Sequence, residues 1–193
     1  STAPTTGLDP DASAPVLRGP TLAPGDVLAE RFRVLRLVGR GGMGEVYEAE
    51  DLELREAAAL KTIRPELVGD PAARDRFKRE IQMARRVTHP NVCRTFDLER
   101  HRSADRDITF LTMEMLPGVT LAEHLRKRGR IDPEPAAPLL KQMAEGLAAA
   151  HRAGVIHRDF KPGNVVLVPT ADGLRPVITD FGLACVGEDA GTR

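Results

Sequence analysis

His157-Arg158-Asp159-Phe160-Lys161-Pro162-Gly163-Asn164 stands sixteen residues before Asp180-Phe181-Gly182, and the reading of these two stretches decides the fold. Together they place two carboxylates, an ammonium and a side-chain amide on two loops. Transfer of a phosphoryl group needs a carboxylate to accept a hydroxyl proton, cations to neutralise the phosphoryl oxygens and hard oxygen ligands for magnesium. Asp159, Lys161, Asn164 and Asp180 supply those groups. Mg²⁺ keeps few protein ligands beside phosphates and water, so one carboxylate and one amide oxygen suffice.

Working outward, residues 134–153 are apolar at Leu139, Leu140, Met143, Leu147 and Ala150, a spacing that predicts a helix ending at Gly154. A shorter helix is predicted before it over residues 120–128. On the other side, short β segments surround a turn at Asp172-Gly173. Nearer the N-terminus, residues 92–98 and 108–115 read as strands. Asp70-Pro71 supplies an N-cap and a first-turn proline. The helix behind it carries Phe77, Ile81 and Ala84 on one stripe and stops before His89-Pro90. Residues 31–38, the run through Val46, Tyr47 and Ala49, and residues 57–63 complete the strands. Strands, one helix, strands and then helices give an α+β chain in two parts, about 26–116 and 117–193. Residues 1–25 hold five of the fifteen prolines and almost no large apolar side chains, which predicts a disordered lead-in.

Composition narrows the function classes. With 28 basic and 28 acidic side chains the net charge is zero, against a protein that coats nucleic acid. Cys93 and Cys185 cannot build a disulfide framework and point to a reducing compartment. No apolar run approaches the roughly eighteen residues of a membrane span and no basic start leads into an apolar run, so neither a span nor a signal peptide is expected in the residues given. A cytoplasmic location is expected. The first residue is Ser1 rather than Met, so the ends are not expected to be the natural ones.

Gly39-Arg40-Gly41-Gly42-Met43-Gly44 fits GxGxxG, a pattern that is weak alone. A dinucleotide fingerprint must open a helix. Here Glu45-Val46-Tyr47-Glu48 alternates like a strand, which fits a hairpin whose missing Cβ atoms let backbone N–H groups approach an anion. An ordinary glycine hairpin is the alternative. Lys61 ends the run Ala58-Ala59-Leu60-Lys61 in a chain with five lysines against 23 arginines. A compact ammonium suits a point contact on phosphate, although a lone strand-end lysine is commonly a solvated charge. Glu80 lies beside the Phe77–Ile81 stripe. It either reaches inward to orient Lys61 or pairs with Arg76 on the surface.

In order and at these spacings, residues 39–44, Val46, Ala59, Lys61, Glu80, residues 157–164 and residues 180–182 resemble the protein-kinase signature. Residues 37–47 are most similar to the bacterial, eukaryotic-like serine/threonine kinases, and Lys161 after Asp159 is the Ser/Thr form. The resemblance spans about residues 27–193. It implies a protein-kinase-like fold, with a β-rich N-lobe, one regulatory helix and the first part of a helical C-lobe. It implies Asp159 as catalytic base, Lys161 steadying the transferred phosphoryl, and Asn164 and Asp180 on Mg²⁺. Lys61, tethered by Glu80, would hold the α/β-phosphates of ATP beneath the glycine segment containing Val38, Gly39, Gly41 and Gly44. Val46 and Ala59 would wall the adenine above and Val166 below, with Met113 as gatekeeper and backbone atoms of Glu114 and Leu116 at the hinge. His157 and Phe181 resemble packing elements. Arg158 resembles the arginine that receives a phosphate on the activation loop, where Thr192 is the only hydroxyl after Asp180. ATP, Mg²⁺ and protein substrates bearing Ser or Thr are the implied ligands.

Several residues depart from the pattern. Ala58 and Ala84 replace larger aliphatic residues and are expected to loosen packing behind Lys61 and Glu80 by about 1–3 kcal/mol. Cys185 stands where a basic residue is common. Only eleven residues follow Gly182, without Ala-Pro-Glu, so the chain is expected to be the N-terminal portion of a kinase domain. Its long helix is then expected to expose apolar surface. The alternative function is a non-catalytic ATP-binding or interaction module, or an inactive fragment.

Overall fold

The computed structural model describes residues 21–42, 44–68 and 70–181. Six strands make up the first half: β1 (Val27–Leu28), β2 (Phe32–Gly41), β3 (Gly44–Asp51), β4 (Glu56–Ile63), β5 (Thr95–Arg102) and β6 (Asp107–Glu114). They pair antiparallel in the order β1-β2-β3-β4-β6-β5. Side chains alternate across a strand, so the two faces of β4 carry different cargo. Leu60 packs on one face with Leu22, Phe32, Val34, Tyr47 and Phe110. On the other, Ala59 and Ile63 meet Leu111, Met113 and the buried stripe Phe77 and Ile81 of α2 (Pro71–Ala84). A single turn, α1 (Pro65–Val68), precedes α2. Four residues are too few for a helical period to register in sequence.

This alternation corrects one expectation. Ala58 points to the Leu60 face, away from Lys61, and lines an outer groove with Arg31, Leu54 and Phe96. It therefore loosens nothing behind Lys61. Ala84 does lie on the inner side, beside a cavity of about 10 Å³ shared with Ile81, Cys93, Leu111, Met113 and Asp180.

The second half contains β7 (Val119–Thr120), α2's successors α3 (Leu121–Arg128) and α4 (Pro133–Arg152), then β8 (Val165–Thr170) and β9 (Gly173–Ile178). Its sheet runs β7-β8-β9. Thr120 is the cap of α3: its hydroxyl accepts the Glu123 N–H at 3.1 Å, and the Glu123 carboxylate accepts the Thr120 N–H at 3.0 Å. Met143, Gly146 and Ala150 are the buried positions of α4, whereas Leu140 is 61% exposed on its other side. No helix among the described residues is long and apolar enough to cross a membrane.

Residues 92–94 do not join β5 as their apolar character predicts. Val92 instead bridges Ile178 in parallel, and the Cys93 N–H donates to the Ile178 carbonyl at 2.9 Å. The buried Asn91 strengthens this joint. Its amide donates to the Pro176 carbonyl at 2.8 Å and to Gln142 at 3.1 Å, fastening the two halves together. β5 itself runs on through the charged residues to Arg102, a polar edge strand with no apolar signal to announce it.

At the N-terminus, Leu22 is 2% exposed and packs against Tyr47, although the sequence assigns residues 21–25 to the lead-in. Gly44, like Gly118, is a glycine the fold requires. Its φ is +152°, and an added Cβ would sit 1.8 Å from the Thr62 carbonyl oxygen. Gly44→Ala is expected to lower stability by about 2 kcal/mol or more, read as a lower urea midpoint at unchanged m-value. An unchanged midpoint would contradict this packing.

Candidate active site

Two non-glycine residues in the left-handed region mark the cleft between the halves: Arg158 at φ 62° and Asp180 at φ 64°. Such backbone costs of order 1–3 kcal/mol and persists only where the surroundings fix it. Here they do. The His157 ring is 2% exposed and lies 4.7 Å from Phe181 and 5.7 Å from Phe160, centroid to centroid. Its Nε2 is 2.8 Å from the Thr179 carbonyl, which can only accept, so Nε2 carries the proton. The Thr179 N–H in turn donates to the Asn164 carbonyl at 2.9 Å. The two loops that bear the sequence motifs are thereby stitched into one unit.

Within that unit Asp159, Lys161 and Asn164 meet. The Lys161 ammonium is 2.7 Å from Asp159 Oδ2. The Asn164 amide donates to both the backbone carbonyl (2.9 Å) and Oδ2 (3.1 Å) of Asp159. A 3-10 turn at Pro162–Asn164 holds Asn164 in this position. The Lys161 ammonium, helped by Asn164, keeps the Asp159 carboxyl below the usual carboxylate range, so it is ionised at neutral pH.

Across the cleft, Lys61 is 4% exposed and its Nζ lies 2.6 Å from Asp180 Oδ1. Glu80 does not meet Lys61. One of its oxygens faces Arg158 at 3.5 Å, and the other is buried with no partner among the described residues. Burial pushes the Glu80 carboxyl up, with Arg158 and Arg76 opposing. Neither reading of Glu80 from sequence alone anticipates Arg158 as its partner, because the two stand 78 positions apart.

The glycine hairpin is paired Gly39↔Val46, Arg40↔Glu45 and Gly41↔Gly44, and Val46 in turn pairs with Lys61 of β4. A Cβ added at Gly39 or Gly41 would meet nothing within 4 Å, so the fold itself does not demand glycine there. Val38 is exposed, Val46 and Val166 are partly exposed, and Ala59 and Met113 are buried. At the expected hinge the Glu114 N–H is taken by the Arg94 carbonyl at 2.9 Å, and the Leu116 carbonyl accepts the Gly118 N–H at 2.9 Å. Burial pushes the Cys93 thiol far up, which makes it an inert wall of the small cavity. Gly182, Cys185 and Thr192 lie outside the described residues.

A glycine hairpin, a buried lysine paired across a cleft and a carboxylate loop stitched to a second carboxylate define the protein-kinase-like class of phosphotransferase folds. The chain belongs to the protein kinase domain family, whose profile matches residues 32–192. It is 43% identical to the serine/threonine-protein kinase pkn2 of Myxococcus xanthus over 158 residues, 82% of this chain and 18% of that protein. The serine/threonine-protein kinase PknA of Mycobacterium tuberculosis is 36% identical over 161 residues, 83% of this chain and 37% of that protein. Among solved structures, a double mutant of the PknI kinase domain of Mycobacterium tuberculosis superposes with a TM-score of 0.73 at 30% identity, covering 84% of this chain and 64% of that one. The chain thus spans 18% to 37% of the length of these two curated relatives.

Proposed function

We propose that this chain binds Mg·ATP and transfers the γ-phosphoryl group to serine or threonine hydroxyls of protein substrates. The observation that carries the reading is the ionised Asp159 held by Lys161 and Asn164, facing the cleft whose other wall is the Lys61–Asp180 pair. The donor set fits the ligands. Among the described residues no group of three or more His, Cys, Asp or Glu is placed to hold a metal by itself. One carboxylate (Asp180) and one amide (Asn164) are what a phosphate-bound Mg²⁺ needs, and Lys61 supplies a desolvated cation for the α/β-phosphates. When bound, Mg²⁺ neutralises phosphate charge and orients the γ-phosphoryl group.

The chain's own residues do the rest. Asp159 accepts the hydroxyl proton as the substrate oxygen bonds to the γ-phosphorus and the bond to the β–γ bridging oxygen breaks, releasing ADP. Lys161 is placed to steady the oxygens in transit. Val38, Gly39, Gly41 and Gly44 would hold the phosphates from above; Val46, Ala59 and Val166 would enclose the adenine, with backbone groups of Glu114 and Leu116 at its edge. Most of the rate comes from positioning and charge neutralisation. A cytoplasmic location accords with this reading.

A second reading, nucleotide binding without transfer, is favoured by one observation: Glu80 is held by Arg158 rather than by Lys61. In the first reading Glu80 would exchange Arg158 for Lys61, leaving Asp180 free to hold Mg²⁺. ADP release by the purified chain, with and without a basic Ser/Thr peptide, separates the two. Peptide-dependent release supports transfer. No release, with a melting temperature that still rises in Mg·ATP, supports binding alone.

A further inference from the structure

One polar cluster lies outside the proposed chemistry, and it centres on Glu45 at the neck of the glycine hairpin, one ladder pair from the closing Gly41↔Gly44 pair. The Glu45 side chain is 14% exposed, yet three donors converge on its carboxylate. Arg40, the cross-strand partner of Glu45, reaches one oxygen with Nε at 3.0 Å. The other accepts the Thr21 N–H at 2.9 Å and the Tyr47 hydroxyl. That hydroxyl also accepts the Leu22 N–H at 3.1 Å. The Glu45 backbone is fastened as well. Its N–H donates to the Thr62 hydroxyl at 3.0 Å, and the hydroxyl returns a bond to the Glu45 carbonyl at 3.3 Å. Thr62 follows Lys61 directly, on the opposite face of β4.

Charge states agree with a permanent fastening. Burial and the neighbouring Glu45 push the Tyr47 hydroxyl up to about 12. For Glu45, burial pushes upward, but bonds from Tyr47 and Thr21 outweigh it and leave the carboxyl below its ordinary value. A neutral Tyr47 and an ionised Glu45 therefore persist together across physiological pH.

We infer that Glu45, Tyr47, Thr62 and the segment at Thr21 and Leu22 form a clamp that presets the glycine hairpin for nucleotide, making Tyr47 and Thr62 positioning residues. A Cβ at Gly39 or Gly41 would meet nothing within 4 Å, and at the tip the exposed Arg64 guanidinium donates to the Gly41 carbonyl at 3.4 Å. The part-buried bonds at Glu45 are the firmer hold on the hairpin's height. Glu45 is held from two sides: to the lysine-bearing strand through Thr62, and to the N-terminal segment through Tyr47 and its own carboxylate. Nucleotide binding to a preset hairpin avoids the cost of ordering it. The inference rests on the nucleotide reading of the site.

Two substitutions remove single hydroxyls without emptying the core: Tyr47→Phe and Thr62→Val. Each is expected to accelerate amide hydrogen exchange over residues 39–46 and to raise the KM for Mg·ATP about three- to tenfold, more than it lowers kcat, the size of one lost hydrogen bond. Thr62→Ser is expected to restore both. Exchange measured without nucleotide tests the clamp independently of activity. Unchanged hairpin exchange in both variants overturns the inference, and so does faster exchange with an unaltered KM. Wild-type chain that binds no Mg·ATP overturns the nucleotide reading itself, a failure visible without any variant.

Discussion

Asp159→Asn is expected to lower phosphoryl transfer by about 10²–10⁴-fold, the usual worth of a positioned general base, while Mg·ATP affinity changes by less than about threefold. The amide has nearly the shape of the carboxylate, so the loop stitched by His157, Thr179 and Asn164 keeps its form. What disappears is a group able to take a proton and the charge that holds the Lys161 ammonium at 2.7 Å. Steady-state ADP release gives kcat and calorimetry gives affinity. A variant that loses affinity but keeps its kcat would show that Asp159 contacts the ground state and does no proton transfer.

Lys61→Met is expected to fail at both steps. Methionine preserves an unbranched stem in the pocket between Ala59 and Ile63, so packing on the α2 face is retained. The ammonium that sits 2.6 Å from Asp180 is gone, leaving a partly buried carboxylate without its cation. Removing one such preorganised charge costs about 10²–10³ in kcat where it stabilises a developing anion. Because the same ammonium is assigned to the α/β-phosphates, the KM for ATP should rise as well. An unaltered rate would refute the assignment of the site. The contrast between the variants is informative in itself: one loses turnover alone, the other turnover and binding.

Glu80 introduces a condition on that account. With one oxygen on Arg158 and the other buried without a hydrogen-bond partner among the described residues, it is in an energetically poor position, and burial pushes its carboxyl up against the pull of Arg158 and Arg76. A buried acceptor without a donor costs about 1–3 kcal/mol. Pairing with Lys61 would relieve that cost, but Lys61 is engaged by Asp180. Two ion pairs, Lys61–Asp180 and Arg158–Glu80, therefore stand where the tethered arrangement would have Lys61–Glu80, with Asp180 and Arg158 released.

The sequence was most legible where the chemistry is local. Asp159, Lys161 and Asn164 lie within six residues, so their meeting needs only one loop, and the helical period of α4 and the cap at Thr120 follow from the same local rules. It was least legible where a partner comes from afar. Nothing in the neighbourhood of Glu80 distinguishes Lys61, Arg76 and Arg158 as its counterion. Ala58 was misplaced for a reason that strand alternation explains: it is three positions from Lys61 and so points to the other face. Leu22 was hidden by the prolines around it. A lone apolar residue carries no period, and only the fold brings it to Tyr47. The Glu45 clamp was invisible on the same ground, since Thr21, Tyr47 and Thr62 come from three separate segments.

The most direct test follows the phosphorus itself. The purified chain is incubated with γ-labelled ATP, Mg²⁺ and a basic protein substrate, beside Asp159→Asn, and the labelled product is hydrolysed to its phosphoamino acids. The account predicts phosphoserine or phosphothreonine from the wild-type chain, lost with the variant and with removal of Mg²⁺ by a chelator. Label transferred equally by Asp159→Asn, or no label transferred by a wild-type chain whose melting temperature still rises with Mg·ATP, would contradict it.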